Sequence, residues 1–103
     1  MRKKSKKYGT YYGELVNYKK LQDHDEFYYF GSKDIRKDTE KMYNCGVKEI
    51  VFDMDVYSDG SATMFFETDK NTDFKKLLLL ITNNFRPDEF SEETPYHFRM
   101  WFD

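Results

Sequence analysis

VKEIVFDMDVY (Val47–Tyr57), SDG (Ser58–Gly60) and SATMFFET (Ser61–Thr68) read together as two strands joined by a tight turn. A three-residue connection, with a type I turn closed by glycine in the left-handed region, suits Ser58-Asp59-Gly60. That turn sets Tyr57 opposite Ser61, Val56 opposite Ala62, Met54 opposite Met64 and Phe52 opposite Phe66, so that one face of the ribbon is apolar. The other face then carries Val51, Asp53, Asp55 and Tyr57 against Glu67, Phe65, Thr63 and Ser61. A two-residue Asp-Gly turn would set Phe52 against Glu67 and Met54 against Phe65, which mixes the faces.

Outward from this hairpin the chain gives an α+β order. Upstream, FYYF (Phe27–Phe30) is a short aromatic strand closed by Gly31-Ser32. A helix follows, capped by Ser32 or Asp34, with Ile35, Thr39, Met42 and Tyr43 on one stripe and Gly46 as its stop signal. Downstream, Thr72 caps a second helix whose stripe is Phe74, Leu77, Leu78, Ile81 and Phe85, widened by Leu79 and Leu80. A helix so apolar is pressed deep into the domain or shared with another subunit. Pro87 ends it, Asp88 to Thr94 read as an acidic loop, and from Pro95 the period-two alternation of Tyr96, Phe98, Met100 and Phe102 marks a last strand. Tyr8 to Leu21, interrupted by Gly9 and Gly13, reads as an irregular strand that adds an edge or lies across a sheet. The expectation is a ferredoxin-like βαββαβ antiparallel sheet, with two helices on one face and an extra N-terminal strand.

The 103 residues suffice for one domain, here 8–103, preceded by a basic flexible arm, 1–7. Ten Phe and nine Tyr must fill its core, because alanine occurs once. Lysine outnumbers arginine 13 to 4, a bias of AT-rich genomes that suggests a bacterial or phage source. Arg2, Lys3, Lys4, Lys6 and Lys7 concentrate positive charge at the start, leaving 12 basic against 19 acidic side chains in the remainder. Such an arm can reach for phosphate, fold back on the acidic body, or simply solubilise the chain. Cys45 is the only cysteine, which excludes an internal disulfide framework and fits a reducing, cytoplasmic location. No apolar run approaches the ~18 residues of a membrane span, so no membrane partner is expected.

The string IVFDMDVYSDG (Ile50–Gly60) resembles the first motif of haloacid dehalogenase-type phosphatases, an apolar strand ending in D-x-D. That resemblance implies Asp53 as nucleophile, Asp55 as acid and base, and a bridging magnesium. It covers about a dozen residues of a family that needs further motifs and a parallel core. This chain has Val56 where the family usually has Gly, and 48 residues follow Asp55. In any exposed strand, residues two apart share a face and give D-x-D without chemistry. With Asp59, the same pair offers hard oxygens for magnesium or calcium, but carboxylates that keep an open face solvated are the better account. No metal or cofactor is therefore expected. The cluster Asp23-His24-Asp25-Glu26 reads as a polar loop. Cys45 sits at a helix C-terminus, which disfavours a thiolate, and with only His24 and His97 as bases no nucleophilic enzyme is expected.

Two binding readings remain. The strand order resembles that of RNA-recognition-motif domains, whose open sheet stacks bases on aromatics of the first and third strands, here FYYF and Phe65. That implies a single-stranded nucleic-acid binder gripping phosphate through Arg2, Lys3, Lys4, Lys6 and Lys7. The third-strand segment DGSATMFFE offers only one outward aromatic, and Asp53 and Asp55 would repel phosphate. The favoured expectation is a small non-enzymatic protein-binding module of the inhibitor or immunity type. Its open sheet face, Asp53, Asp55, Tyr57, Asp59, Phe65, Arg99 and Trp101, would meet a basic protein partner such as a nucleic-acid enzyme. The 74–85 helix or a free sheet edge would also suit a homodimer.

Overall fold

Residues 2–20, 32–54 and 62–102 are described by the computed structural model. The expected strand at 27–30, the cluster at 23–26, the expected turn 58–60 with Asp59, and the expected strand residues Asp55 and Tyr57 lie outside them. In chain order the elements are β1 (Lys3–Ser5), β2 (Gly9–Tyr11), β3 (Leu15–Asn17), a 3-10 turn (Tyr18–Lys20) and α1 (Ile35–Asn44). They continue with β4 (Glu49–Asp53), β5 (Ala62–Glu67), α2 (Phe74–Leu80) running into a π-helical turn (Ile81–Phe85), β6 (Glu89–Thr94) and β7 (His97–Phe102). The chain is an α+β protein with a two-stranded sheet, β1-β2, and a five-stranded antiparallel sheet in the order β3-β4-β5-β7-β6.

That order differs from the ferredoxin-like expectation. There the first of the four strands stands between the third and the last, whereas here β5 and β7 are hydrogen-bonded directly, from Ala62↔Phe102 to Glu67↔His97. The segment expected to be an acidic loop supplies the outermost strand instead. β6 pairs with β7 across a turn at Pro95-Tyr96, with a register shift between Glu92 and Thr94, and Tyr96 at a left-handed φ of 67. Its side chains are exposed or half-buried throughout, so it lacks the apolar alternation that announces a half-buried strand.

The central hairpin keeps its expected faces but not its expected register. Phe52 lies opposite Met64 and Ile50 opposite Phe66, two residues away from the pairing that Ser58-Asp59-Gly60 predicts. A slip of two leaves every side chain on its own face, so the apolar pattern alone does not resist it. The neighbouring strands fix the choice: Val16 sits opposite Phe52 on one side, and Met64 opposite Met100 on the other. The Met54 N–H donates to the Glu14 carbonyl at 2.9 Å, extending the β3–β4 ladder.

Both helices pack on one face of the sheet. Ile35 and Met42 from α1, Leu77 from α2 and Ile81 and Phe85 from the π turn enclose Ile50, Phe52, Met64, Phe66, Met100 and Phe102 in one cluster. The α1 N-cap is Asp34, whose carboxylate accepts from the Lys37 N–H at 3.1 Å. At the other end the Val47 N–H reaches back to the Met42 carbonyl and the Gly46 N–H to that of Tyr43, the pair of bonds that closes a Schellman turn. Gly46 takes φ 97, and a Cβ there would meet the Thr72 Cα at 3.2 Å. Gly46→Ala is therefore expected to cost at least about 1–2 kcal/mol from the left-handed backbone alone, read as a lower denaturant midpoint at unchanged slope. A midpoint equal to that of the wild type would show that the turn relaxes freely. Thr72 was expected to cap α2, but its hydroxyl donates to the Gly46 carbonyl at 3.1 Å, tying the two helices together. Asp73 caps α2 in its place, accepting from the Lys76 N–H.

The opposite face of the sheet is not open. The N-terminal segment does both things expected of Tyr8 to Leu21: β3 adds an edge beside β4, and the β1–β2 hairpin lies across the sheet. Within the segment read as a free basic arm, Lys3 pairs with Tyr11 and Ser5 with Gly9. Tyr8, at the turn of that hairpin, packs with Val51 and Phe65 in a second cluster bordered by Tyr11 and Leu15.

Candidate functional site

The hairpin cover redistributes the residues expected to form one acidic, aromatic face. Phe65 is 0 % exposed, its ring 5.3 Å from that of Tyr8, so it presents no surface to a partner or to a base. Asp53 is 2 % exposed, and its two oxygens accept from the Tyr12 and Gly13 backbone N–H groups at 2.8 Å each. This carboxylate fastens the N-terminal segment to β4. Arg99 is paired with Glu89 at 3.1 Å and lies 4.0 Å from Glu93, both on the neighbouring strand. Trp101 stands half-buried between Thr63 and Glu89 in the cross-strand register. Asp55, Tyr57 and Asp59 lie outside the described residues.

The basic residues are likewise dispersed. Lys7 pairs with Glu67 at 3.5 Å, and the Lys3 ammonium donates to the Gly13 carbonyl at 3.0 Å. Arg2 and Lys4 line a cleft of about 410 Å³ with Thr10, Tyr12, Glu93 and Arg99, while Lys6 is exposed.

Beneath the hairpin, Tyr8 donates its hydroxyl proton to Glu49 at 2.7 Å and meets the edge of His97 at 5.5 Å. Burial first, and the bond to Glu49 second, push that hydroxyl far above its usual range. The Thr94 hydroxyl donates to the Lys7 carbonyl at 2.7 Å, so the His97 Nδ1, 2.8 Å from the Pro95 carbonyl, carries the hydrogen on that side of its ring. Its Nε2 faces Glu67 at 3.5 Å. The Tyr8–Glu49 and Thr94–Lys7 bonds hold the cover in place.

Cys45 is buried where α1 and α2 meet, and burial, followed by the Asp73 carboxylate, pushes its thiol up. A thiol so placed stays protonated near neutral pH. Among the described residues no group of three His, Cys, Asp or Glu side chains is gathered as metal ligands would be.

What the structure does bring together is a shelf of aromatic rings at the β6 edge. Phe66, Phe98 and Phe90 pack as a triad, with centroids 5.2 Å, 5.6 Å and 6.1 Å apart and ring planes within 25°. Phe74 at the start of α2 adjoins the triad, 6.3 Å from Phe98. Phe90, on the edge strand, is 38 % exposed. Leu78 follows Phe74 by one helical turn on the same side of α2, and it and Leu79 are 46 % and 56 % exposed.

The strand that carries Phe90 is acidic: Asp88, Glu89, Glu92 and Glu93 fall in six residues, of which Glu92 shares the face of Phe90 while Glu89 and Glu93 meet Arg99 on the other face. Among the described residues, β6 has no strand on its outer side. The usable signal in the sequence was the pair of six-residue runs, EFSEET and HFRMWF, on either side of Pro95-Tyr96. Their hairpin places Phe90 opposite Met100 and therefore on the helix side of the sheet.

No family model, no curated protein and no solved structure matches the chain. No helix among the described residues is long and apolar enough to cross a membrane.

Proposed function

We propose that the chain is a non-enzymatic protein-binding module that receives a basic partner at the β6 shelf, a cytoplasmic role of the inhibitor or immunity type. The observation that carries this is Phe90, a stacked, preorganised aromatic that stays 38 % exposed inside an acidic edge strand. Aromatic anchors with a charged surround are the two components of a selective binding patch, one giving affinity and the other steering. A free strand edge adds backbone donors and acceptors for an extended segment. The carboxylates disfavour an acidic or neutral strand at that edge and favour a lysine-rich one.

The test is a titration of the ¹⁵N-labelled protein with a peptide of alternating lysine and valine, alongside its glutamate counterpart. The lysine peptide should shift the amides of Glu89–Thr94, and Phe90→Ala should weaken it by roughly tenfold, as truncation of an interface anchor does. Equal response to both peptides, or shifts elsewhere only, would sink the reading.

The cleft lined by Arg2, Lys4, Tyr12 and Arg99 favours a second reading, single-stranded nucleic acid held along the N-terminal hairpin. A mobility assay with a thymidine oligomer separates the two. Under this second reading, Arg2→Glu with Lys4→Glu removes the retarded band, whereas Phe90→Ala leaves it unchanged.

A further inference from the structure

We infer that the basic partner of the β6 shelf is α2 of a second copy of this chain, in a two-fold dimer. The inference rests on the reading of that shelf as a binding surface. Continuous with the acidic shelf, through Phe98 and Phe74, runs the opposite kind of surface. There α2 exposes Leu78 and Leu79, with Lys75 and Lys76 one turn before them. No carboxylate among the described residues lies within ion-pair distance of Lys75 or Lys76. One continuous patch thus sets Phe90 and the carboxylate of Glu92 beside a basic half built on Leu78 and Leu79.

An isologous interface requires this kind of self-complementarity, because whatever one copy presents at a position its partner presents across the axis. A two-fold axis through Phe74 and Phe98 sets α2 of one copy on β6 of the other, twice over. Each contact covers exposed leucines with an exposed phenylalanine and brings lysine to Glu92, which shares the helix-side face with Phe90. Pairing β6 with β6 of another copy would instead set Glu89, Glu92 and Glu93 against their own kind, which costs free energy on every cross-strand neighbour. The stated geometry is therefore helix on strand.

The test is sedimentation velocity on Lys75→Glu and Glu92→Lys, both at exposed positions, each alone and mixed in equal amounts, beside the wild type. The wild type should show a concentration-dependent dimer that weakens as salt rises. Each variant alone meets two like-charge contacts per dimer and should dissociate roughly a hundredfold more readily. The mixture should regain the dimer, because in the heterodimer both contacts are again of opposite charge. Leu79→Ser should also yield monomer, with a melting temperature that no longer rises with protein concentration as that of the wild type does. A wild type that stays monomeric, single variants that dimerise as well as it does, or a mixture that fails to recover would each overturn the inference. The lysine-valine peptide separates this failure from the broader one: a monomer that still binds it at β6 leaves the proposed function standing.

Discussion

Replacing Asp53 by asparagine is expected to destabilise the protein by about 2–4 kcal/mol, the penalty of disrupting charge-assisted hydrogen bonds at a buried site. Both carboxylate oxygens accept from backbone N–H groups, those of Tyr12 and Gly13, at 2.8 Å. Asparagine keeps one acceptor and turns an amide NH₂ toward the other donor, so one N–H loses its partner and faces hydrogen. In a domain of this size the loss corresponds to a melting temperature lower by roughly 10–20 °C. The loosening should be local first, with amide exchange accelerating at Tyr12 and Gly13 before the helices respond. An exposed aspartate on a binding face would behave otherwise, because surface substitutions stay within about 0.5 kcal/mol. A melting temperature within the error of the wild type would therefore overturn the structural role given to Asp53.

The difference between those two roles was not legible in the sequence. Alternation places Asp53 on the face opposite Phe52 but cannot say what covers that face. Its hydrogen-bond donors are backbone groups some forty residues earlier, which leave no side-chain signature. The same holds for Phe65, whose cover is one tyrosine in the glycine-rich run Tyr8–Gly13. The helices were easier to read because their signals are local: Asp34 caps α1, Gly46 ends it in the left-handed region, and Ile35, Thr39 and Met42 are buried at helical spacing.

Topology failed at one element. EFSEET has a single apolar residue, since an edge strand beyond the helical layer buries little. Once it pairs with β7, the hairpin lies beside β5, where the ferredoxin-like order would set the first strand. The hairpin register failed for a different reason. Loop length and apolar alternation both permit slips of two, and only the third and fourth strands of the sheet decide among them. The shelf at Phe90 depends on the first of these corrections, because its exposed ring stands on β6.

Phe65→Ala is expected to be the most damaging single change on the hairpin side, costing about 3–5 kcal/mol as buried phenylalanine truncations do. Phe65 is 0 % exposed, and it is the ring on which Tyr8 rests. Phe66→Ala, one residue on, removes an equal ring from the helix-side cluster and provides the control. Both variants should melt early, but their amide-exchange patterns should part. Loss of Phe65 should release the protection of Gly9–Tyr11 ahead of α1, because Tyr8 is the ring by which β1 and β2 pack on the main sheet, beside the polar ties of Asp53 and Lys7. Loss of Phe66 should lower protection in both helices and leave the hairpin no worse than the rest. A cycle with Tyr8→Ala isolates the contact itself, with an expected coupling of about 0.5–1.5 kcal/mol for a ring pair at this separation. Coupling near zero, or exchange rising in the helices first for Phe65→Ala, would mean that the cover does not depend on this ring.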